Sequence, residues 1–124
     1  MIGYVTLGTN DLDRAARFYD ALLGELGASR MMEDDRFVVW STGPGNPAIS
    51  VMKPFDEKEA TVGNGMMVAL VVDNPETVDK LHAKALELGA ADEGAPGLRG
   101  GGFYLAYFRD LDGNKLNFFC MASS

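Results

Sequence analysis

The stretches Gly24-Glu25-Leu26-Gly27-Ala28 and Leu86-Glu87-Leu88-Gly89-Ala90 decide the fold, because they show that the 124-residue chain carries one pattern twice. Each stretch closes an amphipathic segment. Each follows a short apolar run, at residues 4–7 and 66–72, and precedes more strand-like sequence. An internal repeat indicates one supersecondary unit that is built more than once. We therefore expect two copies of a small α+β module that share a core, with function at a site between the copies.

Composition and charge narrow the class of protein. Apolar residues make up 47% of the chain, which suits one domain with a sizeable core. Eleven basic against 18 acidic residues give a net charge of -7, which argues against a nucleic-acid partner. The single cysteine, Cys120, fits a reducing compartment. Residues 1–7 lack a signal-peptide pattern, and no apolar run approaches the roughly 20 residues that cross a bilayer. We expect a soluble cytoplasmic protein without a membrane partner.

The first module, at about residues 1–54, reads as βαβββ. Asn10 or Asp11 is placed to cap a helix, since either side chain accepts hydrogen bonds from free backbone N–H groups. Apolar residues at helical spacing then run to Leu26, and Gly27 is a plausible stop. The predicted strands of this module are residues 2–8, 29–32, 37–42 and 48–53. Residues 54–65 are polar and contain glycine, and we take them as the connection between modules.

The second module, at about residues 64–124, repeats this order. The segment Asn74-Pro75-Glu76 has a cap, a first-turn proline and a first-turn acid, as helix starts prefer. A glycine-rich loop is predicted at residues 94–102, and it leads into a strand, unlike a phosphate-binding loop, which leads into a helix. A mobile flap is the better interpretation of this loop. The predicted strands are residues 66–72, 90–93, 103–109 and 115–121.

Strand alternation sorts the side chains of these modules into two faces. Alternate residues of a strand form one set on each face of the sheet, and the sets that are wholly apolar should pack on the helices. The mixed sets should face away from the helices and surround a cavity if the sheets curl. These mixed sets include Tyr4, Thr6, Met67, Asn117 and Phe119.

Two segments carry a resemblance to a known family. The opening residues 4–7, 11–12 and 15–19, with sequences YVTL, DL and AARFY, resemble the start of a vicinal oxygen chelate protein. The closing segment YFRDLDGNKL at residues 107–116 is similar to the family's final hairpin, although Leu111 stands where the family usually has proline. The superfamily includes glyoxalase I, extradiol dioxygenases, fosfomycin-resistance enzymes and bleomycin-resistance proteins. The resemblance implies an α+β fold in which two βαβββ modules form a cupped mixed sheet with the helices outside, and it implies a homodimer.

The resemblance also implies where a metal would sit. The family's enzymes usually have histidines at the places of Tyr4 and Met67 and a glutamate at the place of Asn117, with a further ligand near Ser50 or Met52 in some members. Divalent transition metals prefer imidazole, thiolate or carboxylate ligands. A phenol, a thioether and an amide are poor replacements. We therefore expect no bound metal and no cofactor.

Four further residues belong either to the binding site or to the structure around it. Trp40 is either a core residue or a flat pocket wall, and Arg99 either pairs with an anionic ligand or is a solvated loop charge. His82 and Cys120 are expected to be structural, because one imidazole cannot form a chelate and Cys120 alternates onto the helix side. The predicted ligand-binding set is Tyr4, Thr6, Trp40, Ser50, Met52, Met67, Arg99, Tyr104, Asn117 and Phe119.

Two classes of function follow. The first is a metal-free protein that binds a small organic molecule, like the drug-sequestering branch of the family. The alternative is a glyoxalase-type lyase, similar to lactoylglutathione lyase, or a related isomerase or dioxygenase with an altered site. The catalytic residues of that alternative are unknown, and the proton acceptor would be one of Tyr4, Tyr104, Tyr107, Glu93 and Asp110. A third possibility is a module that only pairs with other proteins. The cup of such a module would be filled by its own side chains.

Overall fold

The computed structural model of the chain describes residues 1–122. It divides into two compact units, one from Met1 to Val62 and one that begins at Gly63. Each unit has the element order βαβββ, which confirms the repeat predicted from the sequence. That the two modules form one domain stays a prediction. Among residues 1–122, none of the helices is both long enough and apolar enough to cross a membrane.

The first unit is a four-stranded mixed sheet with one helix. Its elements are β1 (Tyr4–Gly8), α1 (Leu12–Gly24), β2 (Ser29–Glu33), β3 (Phe37–Ser41) and β4 (Ala48–Met52). Strand β1 is parallel to β4, and the remaining neighbours are antiparallel in the order β1-β4-β3-β2. Helix α1 packs against β2, β3 and β4. Its Leu22 and Leu23 are buried, as are Val38 and Val51 of the sheet.

The second unit repeats this topology. Its elements are β5 (Val68–Val71), α2 (Pro75–Glu87), β6 (Ala91–Leu98), β7 (Phe103–Arg109) and β8 (Lys115–Met121). Strand β5 is parallel to β8, and the sheet has the order β5-β8-β7-β6. Helix α2 packs against β6, β7 and β8. Its Val78, Leu81 and Ala85 are buried, as are Phe108 and Phe118, whose rings stack at a centroid distance of 5.4 Å.

Both helices begin at predicted caps, and the predicted stop glycines follow them, although α1 ends at Gly24 and not at Leu26. Of the two candidate caps of α1, Asp11 is the one used, since its Oδ1 accepts a hydrogen bond from the Arg14 N–H at 3.0 Å. Asn74 caps α2 in the same way. Gly27 and Gly89 follow the helices with φ of +81° and +105°. That left-handed conformation strains other residues, which explains why the repeated stretches carry glycine there.

The glycine-rich segment differs from the prediction. Residues 94–102 were expected to form a loop, but β6 continues through Leu98 and only Gly100–Gly102 form a short 3₁₀ turn. The register between β6 and β7 shifts twice, so that Gly94 pairs with Tyr107 and Gly97 with Leu105. The glycines therefore mark irregular pairing within a strand and do not mark a flap.

A hollow on the second sheet as candidate functional site

One face of the second sheet is not covered by its helix. Strand β8 lies in the middle of this face, and its register brings Asn117 opposite Ala69 on β5 and Tyr107 on β7. Phe119 lies opposite Leu105 in the same way. The alternating residues Leu116, Phe118 and Cys120 are buried on the helix side. Strand alternation therefore separates a core face from a face that can meet a ligand.

The uncovered face of the second sheet forms an open hollow of about 310 Å³. Its walls are mostly apolar, and the rings of Phe103 and Phe119 meet at a centroid distance of 5.8 Å. The structure brings together four residues of the predicted ligand-binding set, namely Met67, Arg99, Asn117 and Phe119. The other lining residues are Ala69, Gly100, Phe103, Leu105 and Tyr107.

Sequence reasoning omitted Phe103, Leu105 and Tyr107 from the predicted ligand-binding set. Tyr107 was considered only as a proton acceptor of the alternative function. A signal for all three was present, because they alternate along one strand and Tyr107 lies opposite Asn117. The omission came from placing Tyr104 in the hollow, which selects the wrong face of β7.

Asn117, a polar residue on the wall of the hollow, has an unusual environment. It is only 3% exposed, and within residues 1–122 its Oδ1 atom is buried without a hydrogen-bond partner. A buried acceptor that is left unsatisfied costs roughly 1–3 kcal/mol. Such groups are rare in native proteins and call for an explanation. A bound molecule that donates an O–H or N–H to Asn117 would remove this cost.

Two cations lie over the ring of Tyr107, which lines the same hollow. The Arg99 guanidinium lies over its ring at 5.9 Å from the centroid, and the Lys115 ammonium lies over it at 5.0 Å. Both distances are within the range at which a cation is attracted by the negative face of an aromatic ring. The hollow thus combines mostly apolar walls with the Arg99 guanidinium and with Asn117, whose unpaired oxygen is buried in the wall. The Lys115 ammonium does not line the hollow but lies over the ring of Tyr107, which does.

Tyr104 is not part of this hollow. It lies on the helix side of β7, and its Oη donates a hydrogen bond to Asp79 Oδ1 of α2 at 2.6 Å. The hydrogen bond to Asp79 raises the pKa of the Tyr104 phenol above its ordinary value. The prediction that Tyr104 is a pocket wall is therefore wrong, since its side chain is directed to the other face of the sheet.

Trp40 is likewise a core residue. It is 1% exposed on the helix side of β3, where its ring lies 5.5 Å from that of Tyr19. Its Nε1–H donates to Asp20 Oδ1 at 2.8 Å, and Asp20 also accepts two hydrogen bonds from Arg30. These Arg30 contacts, followed by that of Trp40, hold the pKa of Asp20 below its ordinary value of 3.8. Of the two interpretations that the sequence allowed, the core residue is correct and the pocket wall is wrong.

The other predicted residues of the first unit share the face of its sheet that α1 does not cover. Thr6 pairs with Ser50, and Met52 lies two residues further along β4. Ser50 is buried, whereas Tyr4 on the edge strand is 68% exposed. A hollow of about 370 Å³ does exist in this unit, but its lining contains none of the four residues; it is formed by Thr9, Asn10, Arg36, Lys53, Pro54, Glu57, Lys58 and Glu59. The binding role of Tyr4, Thr6, Ser50 and Met52 stays a prediction.

His82 and Cys120 have the structural roles that the sequence predicts. His82 is 4% exposed, and its Nε2 lies 3.1 Å from the Tyr107 carbonyl oxygen and 3.2 Å from Asp92 Oδ1. The imidazole therefore joins α2 to β6 and β7 from the helix side. Cys120 is buried on the same side of the sheet, and burial raises the pKa of its thiol.

The residues present do not fit the metal that the resemblance implies. The Asn117 oxygen is a weak ligand, Met67 offers a thioether, and the cations of Arg99 and Lys115 near the same hollow would repel a divalent ion. Across the part of the chain that the structure describes, no three His, Cys, Asp or Glu residues are grouped to hold a metal. The donor set thus disagrees with the family's metal chemistry.

The fold and this site define a class of small α+β proteins built from paired βαβββ modules with a concave sheet face. A family model, described as "Glyoxalase/Bleomycin resistance protein/Dioxygenase superfamily", matches residues 1–118. The chain belongs to this superfamily. No curated protein matches the chain.

Solved structures show the same fold. A glyoxalase/bleomycin resistance protein from Albidiferax ferrireducens T118 is 35% identical with a TM-score of 0.87, covering 97% of this chain and 98% of its own. A glyoxalase/bleomycin resistance protein/dioxygenase family enzyme from Burkholderia phytofirmans PsJN is 23% identical with a TM-score of 0.80, covering 96% and 97%. A lactoylglutathione lyase from Agrobacterium tumefaciens is 21% identical with a TM-score of 0.74, covering 97% and 92%. The last two likenesses concern the fold alone.

Proposed function

We propose that this protein binds a small organic molecule in the hollow of its second sheet, without the family's metal and without chemistry. The observation that carries the proposal is the buried Asn117 Oδ1, which has no hydrogen-bond partner within residues 1–122. Its surroundings are those of a ligand site, since apolar walls with few polar groups supply most of the binding surface in small-molecule pockets.

The hollow specifies the shape of its ligand. Phe103, Leu105 and Phe119 offer flat and branched apolar surface, which suits an aromatic or alicyclic body. Asn117 Oδ1 is an acceptor, so the ligand must present an O–H or N–H group. A ligand that fills the hollow without such a group leaves the acceptor unsatisfied and should bind less tightly.

A pair of probes tests this proposal. 2-Naphthol and 2-methoxynaphthalene have the same aromatic body, but only the former can donate a hydrogen bond. We expect 2-naphthol to bind about tenfold more tightly, as one hydrogen bond to a buried acceptor is worth roughly 1–1.5 kcal/mol. Ligand-observed NMR titration measures both dissociation constants. Equal affinities, or no binding at millimolar concentration, would contradict the proposal.

Variants assign the effect to one side chain. Asn117→Leu should abolish the preference for 2-naphthol while 2-methoxynaphthalene still binds, because the leucine keeps the apolar wall and removes the acceptor. Asn46→Leu is the matched control, since Asn46 lies in an exposed turn of the first unit. A preference for 2-naphthol that survives in Asn117→Leu would place the site elsewhere.

The lyase alternative has a separate test. The likeness to the lyase from Agrobacterium tumefaciens suggests the hemithioacetal of methylglyoxal and glutathione as a trial substrate. We expect no turnover when zinc, nickel or no metal is added, because the donor set does not fit a catalytic metal. Turnover with stoichiometric metal in the purified protein would replace the binding function with the lyase.

Assembly, location and partners stay predictions. We expect a homodimer, which size-exclusion chromatography with light scattering tests, and a cytoplasmic protein, which cell fractionation tests. The net charge of -7 supports the expectation that nucleic acid is not a partner.

A further inference from the structure

We infer that the ligand of the second sheet is an organic anion, whose acidic group is held by Arg99 and Lys115 beside Tyr107. This inference rests on the proposed function and narrows it to one class of ligand. It is carried by the positions of the two cations, by the space that Gly97 leaves for the Arg99 guanidinium, and by the lack of carboxylates beside the two cations.

The two cations are placed next to the polar end of the hollow. Both lie over the Tyr107 ring, and Tyr107 is opposite Asn117. Lys115 and Asn117 are two residues apart on β8 and share one face, which puts their Cα atoms about 7 Å apart. A ligand of one or two fused rings can therefore reach the Asn117 oxygen with a donor and the cations with an acidic group.

The irregular strand β6 makes room for the guanidinium. A Cβ atom at Gly97 would lie 2.9 Å from Arg99 Nη1, and one at Gly94 would lie 2.9 Å from Tyr107 Cδ2 and 3.5 Å from Arg99 Nη2. Arg99 Nη2 also donates to the Ala95 carbonyl oxygen at 2.9 Å. The side chain is thus folded back along the preceding strand β6, into space that glycine at position 97 leaves, and its guanidinium lies over Tyr107.

No carboxylate neutralises these cations. Among the described residues, neither Arg99 nor Lys115 has an Asp or Glu oxygen within ion-pairing distance, whereas Arg109 is paired with Glu93 and Arg30 with Asp20 and Glu33. The chain has 18 acidic residues and a net charge of -7, yet the two cations that lie over the Tyr107 ring have no carboxylate partner among the described residues. An anionic ligand would complete the arrangement.

The test adds a carboxylate to the probe already used. We expect 6-hydroxy-2-naphthoate to bind about tenfold more tightly than 2-naphthol at low ionic strength, since ordinary charge contacts with the exposed Arg99 and the half-exposed Lys115 together give a gain of this size. The gain should shrink with added salt, because exposed charges are screened. Arg99→Gln and Lys115→Gln should each reduce it severalfold, and Lys84→Gln on α2 removes the same charge from the same unit as a control.

The Gly97→Ala variant tests whether the affinity for the carboxylate depends on the position of the Arg99 guanidinium or only on its charge. The added methyl group displaces the end of a flexible side chain, so the protein should keep its fold and its net charge. We expect the gain in affinity of 6-hydroxy-2-naphthoate over 2-naphthol to fall severalfold in this variant, while 2-naphthol itself binds as before. Gly3→Ala, whose methyl group meets no atom within 4 Å, is the control. Circular dichroism shows that each variant is folded.

Each outcome decides a separate point. If 2-naphthol binds and the carboxylate adds nothing, the anion inference is wrong and the proposed function stands. If the hydroxynaphthoate binds through Arg99 and Lys115 while 2-naphthol does not, the anion inference stands and the role of Asn117 fails. If neither compound binds at millimolar concentration, both are wrong.

Discussion

Replacement of Trp40 by alanine should lower the free energy of unfolding and leave ligand binding unchanged. Trp40 is 1% exposed, contacts the Tyr19 ring and donates to Asp20, so its removal leaves a large cavity beneath α1. Truncation of a buried tryptophan to alanine costs about 3–5 kcal/mol. For a domain with a total stability of about 5–15 kcal/mol this is roughly a fifth or more of the stability. The expected fall in melting temperature is about 10–20 °C.

A second substitution separates packing from hydrogen bonding. Trp40→Phe keeps an aromatic ring but loses the N–H that donates to Asp20 at 2.8 Å. Because Asp20 keeps its two hydrogen bonds from Arg30, we expect a loss of only about 1–2 kcal/mol. Phe55→Ala is the control, since Phe55 is 94% exposed and its removal should change stability by less than about 0.5 kcal/mol.

The assay is urea denaturation followed by far-UV circular dichroism, because the variants lack the tryptophan fluorophore. The same preparations are titrated with 2-naphthol, and Trp40→Phe should bind it within twofold of the unmodified protein. A loss below about 1 kcal/mol in Trp40→Ala would refute the core assignment. A large loss of 2-naphthol affinity in a folded Trp40→Phe variant would restore Trp40 as a pocket wall.

Two further predictions concern ionisable groups. The pKa of Asp20 is lowered, chiefly by Arg30, so the stability it contributes is present at neutral pH and is lost as the pH falls below about 4, through the folded-state pKa; the urea midpoints of the unmodified protein and Asp20→Asn should differ at pH 7 and approach each other as the pH falls below about 4. The pKa of Tyr104 is raised, chiefly by Asp79, so its phenol should ionise above pH 10. Spectrophotometric titration should lose this late component in Tyr104→Phe, whereas 2-naphthol affinity should not change; a change in affinity would return Tyr104 to the site.

The fold could be predicted from the sequence because its signals are local. Helix caps, left-handed glycines and apolar spacing act within a few residues, and Asp11, Asn74, Gly27 and Gly89 behave as their types require. The βαβββ repeat follows from these signals without any knowledge of long-range packing. The segment at residues 94–98 was the exception, because glycines that leave space for a neighbouring side chain have the same sequence signal as glycines in a loop.

The site was predicted less completely, since it depends on which face of a strand meets the helix. Asn117 and Phe119 were placed correctly by alternation along β8. Trp40 and Tyr104 were chosen as large amphipathic rings, and such rings serve equally well in a core when their polar atom finds a partner. Their partners, Asp20 and Asp79, lie on helices far away in sequence, and nothing in the local pattern announces these pairs.

The internal repeat explains the fold of both units but not the difference between them. Ser50 and Asn117 occupy the same register position, each on a strand between a parallel and an antiparallel neighbour, and both are buried. A serine hydroxyl is short and rotates to a nearby acceptor, whereas an amide reaches further and has an oxygen that must receive a donor. Of these two side chains, Asn117 is the one whose oxygen lacks a donor among residues 1–122. The topology therefore provides two equivalent positions, and a single difference in side-chain chemistry distinguishes the second one, which is the proposed binding site.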